Sequence, residues 1–280
     1  MVKPTLHCPC EGRYLERAFQ YDAPPTGETA FDLGGQVYNR AYNRCNLCDH
    51  WFGHHTLNLS SLYTKDYVNA TYGGTAGMAE RLHKILALPP EKSDNAGRVS
   101  RIQDFVKDRF TSNCYQRTLL DVGAGIGVFP AAMKALGWQV TAIEPDPRTA
   151  RHLQENVGVQ ALSVDLLTLF PEQIGLFDLV TFNKVLEHVE DPVALLGHAR
   201  YLLKPKGYCY VELPDVSAAM EGFSREEFFV EHHHVFSATS IALLAELAGF
   251  QLVTLERLQE PSSKFTLRGF LRTKALGDQV

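Results

Sequence analysis

The sequence predicts an α/β protein built on a parallel, doubly wound sheet, and three observations carry that prediction. The run 119–129 reads as a buried strand, a turn holding Gly123, Gly125 and Gly127, and the start of a helix. Seventeen positions after Gly127, the next apolar run, 140–143, ends in Glu144. From there to residue 213, strand-like and helix-like segments alternate at the spacing that puts helices on both faces of one sheet.

Each element has its own local reason. Residues 77–110 read as helical, interrupted at Pro89-Pro90 and by the polar run 91–97, and should cover the ligand side of the sheet. The segment 128–136 is a helix that Gly137 stops. Pro145-Asp146-Pro147 opens a helix over 148–156, and 159–164 is a short strand ending at Asp165. The apolar run 177–182 is a buried strand ending in Asn183. Leu195, Leu196, Ala199, Leu202 and Leu203 share one face of a helix over 192–203, which Lys204-Pro205-Lys206-Gly207 stops, and 207–213 returns as a strand. An insertion over 214–237 precedes a helix over 240–249, with Ile241, Leu244, Ala245 and Leu247 inward, and an antiparallel pair, 251–258 and 265–272, closes the sheet. The chain thus divides into an arm (1–75), a helical cover (76–116) and a core (117–280).

With 280 residues, 45% of them hydrophobic, the chain can bury a full core and still carry a smaller module. Its formal net charge of -5 and its lack of a long basic run argue against a general polyanion-binding field. No stretch approaches the apolar length of a membrane span, and the start has no signal-peptide core. The expectation is a soluble cytoplasmic protein with reduced cysteines.

Four of the six cysteines lie in the arm, as Cys8-Pro-Cys10 and Cys45-Asn-Leu-Cys48. Two such pairs can close a tetrahedral structural zinc site in a segment that otherwise has little to order it. The C-x-C spacing of the first pair leaves Cys8 and Cys10 the weaker ligands, and His7, His50, His54 or His55 are substitutes; incidental reduced cysteines are the alternative. Residues 37–40 and 41–44 look like a short hairpin leading into the second pair. The arm carries six Lys/Arg against seven Asp/Glu, which is not a nucleic-acid grip.

In doubly wound sheets the ligand sits beyond the carboxyl ends of the strands, which selects 121–127, Glu144, Asp165 and 183–188. Gly123 and Gly125 let the backbone turn and approach a ligand, and Gly127 permits close packing behind it. A carboxylate at position 144 can accept both hydroxyls of a ribose. The glycine spacing is G-x-G-x-G, with Asp121 two residues ahead. An anion there repels a diphosphate and attracts the ammonium or sulfonium of S-adenosylmethionine (SAM), so charge favours SAM over a nicotinamide dinucleotide.

Over residues 119–250 the chain resembles the class I SAM-dependent methyltransferases, whose first motif is like the run 121–127. The resemblance implies a Rossmann-like fold, with Glu144 on the ribose, Asp165 accepting from the adenine amino group, and Asn183 and Lys184 lining the methionine end. Asp165 as a mere cap for the helix at 166–170 is the alternative. Residues 186–192, Leu-Glu-His-Val-Glu-Asp-Pro, are similar to a stretch widespread in that class, in which His188 more often orders a loop than does chemistry. The arm, through 44–52 and 62–67, resembles a zinc ribbon that precedes bacterial methyltransferases of sugar nucleotides and related small molecules. Tyr63, Tyr67 and Tyr72 could form a lid over the cofactor or pack arm against core.

The run Glu231-His232-His233-His234 is the candidate acid-base centre. If extended, it puts Glu231 and His233 on one face and His232 and His234 on the other, which argues against a three-histidine metal site. The region resembles sugar C-methyltransferases, whose Glu-His pair matches Glu231 and His232. Their tyrosine two positions earlier is Phe229 here, which puts carbon as the acceptor in doubt. A hydrated turn before a helix capped at Ser237 is the alternative.

The expected activity is therefore SAM-dependent methylation of a small polar metabolite, a nucleotide-linked sugar first, with proton removal by Glu231 or His232. A zinc-ribbon RNA methyltransferase and a non-catalytic SAM-binding protein are the rivals.

Overall fold

A computed structural model describes residues 13–28, 30, 35–57, 74–110 and 116–274. Its central feature is a seven-stranded sheet. In chain order the strands are β4 (Thr118–Val122), β5 (Gln139–Ile143), β6 (Gln160–Leu162), β7 (Phe177–Asn183), β8 (Leu203–Pro214), β10 (Phe250–Gln259) and β11 (Phe265–Thr273), arranged β10-β11-β8-β7-β4-β5-β6. The strands from β6 to β8 are parallel, and β11 enters antiparallel between β8 and β10. The strand order reverses at the boundary between β4 and β7, so the crevice opens above their carboxyl ends.

Alternate residues of the strands feed two core layers. Leu120, Val180, Phe182 and Val211 pack with Leu196, Leu202, Ile241 and Leu244 from α5 (Pro192–His198), its 3-10 continuation (Ala199–Leu202) and α6 (Ala238–Leu247). Leu119 and Leu179 face the other way, against Ile102 and Phe105 of α2 (Asp94–Arg109) and Phe129 and Met133 of α3 (Val128–Ala135). Met78 and Leu82 of α1 (Gly74–Leu86) complete that second layer. Ser93 starts α2 by accepting from the Ala96 N–H, which explains why the polar run 91–97 is half turn and half helix.

A second, four-stranded antiparallel sheet is ordered β1 (Leu15–Tyr21), β2 (Arg40–Cys45), β3 (Trp51–His55) and β9 (His234–Val235). Its last strand comes from the core insertion, where Trp51 pairs with Val235 and Phe52 with His234. Tyr42, Trp51, Phe228, Val230 and Val235 form its apolar centre.

Several expectations are corrected. Residues 37–44 are not a hairpin. No residue from 40 to 44 has a left-handed φ, so β2 runs straight through, with β1 on one side, and the chain reverses after Cys45, where Asp49 has φ 55°. The helix expected over 148–156 is α4 (Pro147–His152) followed by a wider turn, Leu153–Val157, which Gly158 ends. The run 204–207 lies inside β8, whose pairing with β7 already begins at Leu203, with Lys206 at φ 70° marking the irregularity. The segment 231–234 is not extended: only His234 and Val235 form strand, and the residues before them turn. Tyr63, Tyr67, Tyr72, Cys8, Cys10 and His7 lie outside the described residues.

Candidate active site

One cavity of about 630 Å³ joins the glycine turn to the core insertion. Its cofactor end is built by β4, β5 and β7. Gly123 and Gly127 have left-handed φ values of 68° and 85°. A Cβ at Gly123 would stand 2.6 Å from Val185 Cγ2, and one at Gly127 would stand 2.6 Å from Leu153 Cδ2 and 2.7 Å from Val157 Cγ2. The turn is thus closed to larger residues by its neighbours as well as by its dihedrals.

Glu144 crosses to this turn, its Oε2 accepting from the Gly125 N–H at 2.9 Å. Asp121, 2% exposed, accepts from Thr181 Oγ1 at 2.6 Å and from Asn183 Nδ2 at 2.9 Å. Burial pushes both carboxyls up to about 7. Asp121, Gly123, Gly125, Gly127, Glu144, Asn183 and Lys184 all line the cavity. Lys184 has φ 60° and donates to Thr266 Oγ1 at 2.5 Å, and burial lowers its pKa.

Asp165 is the exception among the expected cofactor residues. It is exposed and absent from the cavity lining, and its Oδ1 accepts from the Leu167 N–H at 3.0 Å. It stands as the cap of the 3-10 turn Leu166–Thr168, because an Asp directly before a helical turn satisfies an N–H that has no other acceptor.

At the other end, Glu231, His232, His188, Phe229 and Phe265 line the same cavity. His232 Nδ1 donates to the Glu227 carbonyl (2.9 Å) and His188 Nδ1 to the Glu231 carbonyl (3.1 Å). Burial holds both imidazoles well below their usual range, His188 at about 4, and pushes Glu231 up to about 7. His233 and His234 point elsewhere: His233 stacks on His55, while His234 meets His50 in a buried pair (3.0 Å) whose other nitrogen faces Ser240 Oγ (3.0 Å). His50 is thereby taken up as a strut between arm and core.

Three residues were not singled out from the sequence. Thr181 fixes Asp121 from the neighbouring strand. Glu187, 1% exposed, lies beside His188 in the cavity wall. Arg98 of α2 reaches Glu212 of β8 at 2.5 Å and also lines the cavity. Only Glu187 carried a signal, its place beside His188 in one short motif.

Cys45 and Cys48 are buried at the turn between β2 and β3, where the Cys45 N–H donates to the His50 carbonyl and the Asp49 N–H to the Cys45 carbonyl. Ser237 Oγ holds the Cys48 carbonyl. Among the described residues no group of three or more metal-ligating side chains forms here.

Residues 78–255 match a family described as a methyltransferase domain. The chain belongs to that family. Membership bears out the class read from the sequence, a class I SAM-dependent methyltransferase with a Rossmann-like, mostly parallel sheet. This methyltransferase is 40% identical over 98 residues to a ubiquinone biosynthesis O-methyltransferase of Xanthomonas campestris pv. campestris, a match covering 33% of this chain and 41% of the relative. A protein of the same name from Xanthomonas oryzae pv. oryzae is 39% identical over the same length and shares. The match therefore spans about two-fifths of those relatives. The magnesium protoporphyrin IX methyltransferase of Synechocystis PCC 6803, solved with bound S-adenosylhomocysteine, superimposes with a TM-score of 0.58 at 14% identity, over 78% of this chain and all of that one. The 1,6-didemethyltoxoflavin-N1-methyltransferase of Burkholderia thailandensis superimposes with a TM-score of 0.55 at 18% identity, over 90% of this chain and all of that one. Both show the shared fold. No described helix of the methyltransferase is long and apolar enough to cross a membrane.

Proposed function

We propose that this methyltransferase moves the methyl group of SAM onto a small polar metabolite, with a nucleotide-linked sugar as the first acceptor to assay. The observation that carries the reading is that Glu231 and His232 line the same cavity as the glycine turn. In this reading Asp121 and Asn183 face the methionine end of SAM, with Lys184 beside them, and Glu144 takes the ribose. Because the sulfonium is already reactive, the protein's work is alignment of an in-line displacement and removal of one proton. Glu231 is the proton acceptor: a carboxylate in the wall can hold the proton of a hydroxyl as the new C–O bond forms and the S–CH3 bond breaks. His232, turned by its bond to the Glu227 carbonyl, positions the acceptor. A hydroxylated aromatic ring is the second reading, favoured by Phe229 and Phe265 in the lining and by the names of the Xanthomonas relatives.

The arm is proposed to hold a structural zinc ion. Cys45 and Cys48, buried on one turn, fit half of such a site, and Cys8 and Cys10 are the other expected half. Zinc content per chain, compared between wild type and Cys45→Ser, tests this. The net charge of -5 and the balanced arm speak against an RNA substrate. The carboxylate and imidazole inside the cavity speak for an enzyme over a passive SAM binder.

The deciding experiment is transfer of labelled methyl from SAM into sugar-nucleotide and phenolic acceptor pools. Glu231→Gln should abolish transfer and keep SAM binding; undiminished turnover in that variant removes Glu231 from the mechanism.

A further inference from the structure

Glu187, His188 and His232 come together from two distant stretches of the chain. Each offers one ligand atom, and these atoms lie within 4.8 Å of one another, in the wall of the cavity. The two imidazoles are set by the same device. Nδ1 of His188 faces the Glu231 carbonyl and Nδ1 of His232 faces the Glu227 carbonyl. A carbonyl can only accept, so each neutral ring carries its proton on Nδ1 and its lone pair on Nε2. Imidazoles that bind metals are held this way, with the far nitrogen donating to a carbonyl. The third member, Glu187, is almost wholly buried, and its Oε2 has no hydrogen-bond partner among the described residues. A buried carboxyl left so takes up either a proton or a cation. The nearby ammonium of Lys184 is drawn toward Thr266 Oγ1.

We infer that these three side chains form a binding site for a divalent transition-metal ion on the acceptor side of the cavity. Two nitrogens and one carboxylate oxygen suit zinc, manganese, iron or cobalt better than magnesium or calcium. The positions left open face the cavity, where an acceptor hydroxyl or a pair of neighbouring hydroxyls can complete the shell. The ion lowers the pKa of the bound hydroxyl. Its proton passes to Glu231, the oxygen forms the bond to the methyl carbon, and the S–CH3 bond breaks, leaving an ether and S-adenosylhomocysteine. This role rests on the reading of Glu231 given above; the site itself does not.

The test uses full-length protein and Co2+. Crystals soaked in Co2+ should show an anomalous peak at about 2.0–2.2 Å from the two imidazole nitrogens and the Glu187 carboxylate. In solution, with the cysteines of the arm already loaded with zinc, added Co2+ should give weak visible bands of nitrogen and oxygen ligation, without the strong near-ultraviolet absorption of thiolate ligation. Glu187→Gln and His188→Gln should each weaken the titration at least about tenfold. An anomalous peak only at the cysteines, or none, overturns the inference, as does unaltered cobalt affinity in both variants. SAM binding, read by calorimetry on the same samples, reports separately on the methyltransferase reading.

Discussion

Asn183 Nδ2 donates to Asp121 Oδ1 at 2.9 Å, tying the carboxyl ends of the two central strands together under the cofactor end of the cavity. That bond and the one from Thr181 orient a carboxyl that burial has pushed up to about 7. Only its ionised form attracts a cation. Through Asp121 alone SAM affinity should therefore rise with pH by up to about tenfold between pH 6 and 8, with a proton released on binding below pH 7. Glu144, raised by burial to the same value, adds in the same direction, so Asp121→Asn should flatten the profile in part. For the folded chain without cofactor the sign is opposite. The folded state holds these protons more tightly than the unfolded one, so their contribution to stability declines as pH climbs from about 4 to about 7. Calorimetry in buffers of different ionisation enthalpy checks the first statement, and a pH-independent affinity refutes it.

Gly127→Ala should lower stability by about 1–3 kcal/mol, since it forces a side chain into a left-handed conformation and against Leu153 and Val157. Val157→Ala in the same chain should recover part of the loss by removing one of the two obstructing methyl groups. The midpoints of urea denaturation measure both.

Arg98→Ala leaves Glu212, fully buried, with no guanidinium, and should cost about 3–5 kcal/mol. The Tyr210 hydroxyl, which donates to the other Glu212 oxygen at 2.6 Å, cannot neutralise that charge. Arg98→Met combined with Glu212→Gln should restore most of the stability. If the single and double variants unfold at the same denaturant concentration, the pair is not what holds α2 to the sheet.

The arm sheet bears directly on the acceptor wall. A Cβ at Gly53 would stand 2.6 Å from the His232 carbonyl oxygen, the atom that the Tyr42 hydroxyl also holds at 2.6 Å. Gly53→Ala should therefore displace His232 and reduce kcat while SAM affinity stays as in wild type. Gly97→Ala, where nothing lies within 4 Å of the new methyl group, is the matched control and should leave both unchanged. A normal kcat for Gly53→Ala would separate the arm from the acceptor site.

What the residues disclosed in advance, and what they hid, divides along one physical line. The glycine turn, Glu144 and the strand ending in Asn183 were legible because each depends on contacts between residues close in sequence or on a fixed strand-end geometry. Arg98, Thr181 and the meeting of His188 with His232 depend on pairings between remote segments, which no local pattern encodes. Asp165 shows the converse: its cap is a two-residue affair that the sequence already permitted. The extended reading of 231–234 failed because the Tyr42 hydroxyl and the Gly53 N–H draw the carbonyls of 232 and 233 toward the arm, bending a segment whose side-chain pattern alone looks like strand.

The pairing of β3 with β9 also sets an order of events during synthesis. Phe52 leaves the ribosome roughly 180 residues before its partner His234. At about 5–20 residues per second the nascent arm waits on the order of ten to forty seconds with that strand edge unpaired. The unpaired edge is a template for other chains throughout that interval, so slow translation or a stall before residue 234 should favour aggregation of the nascent protein.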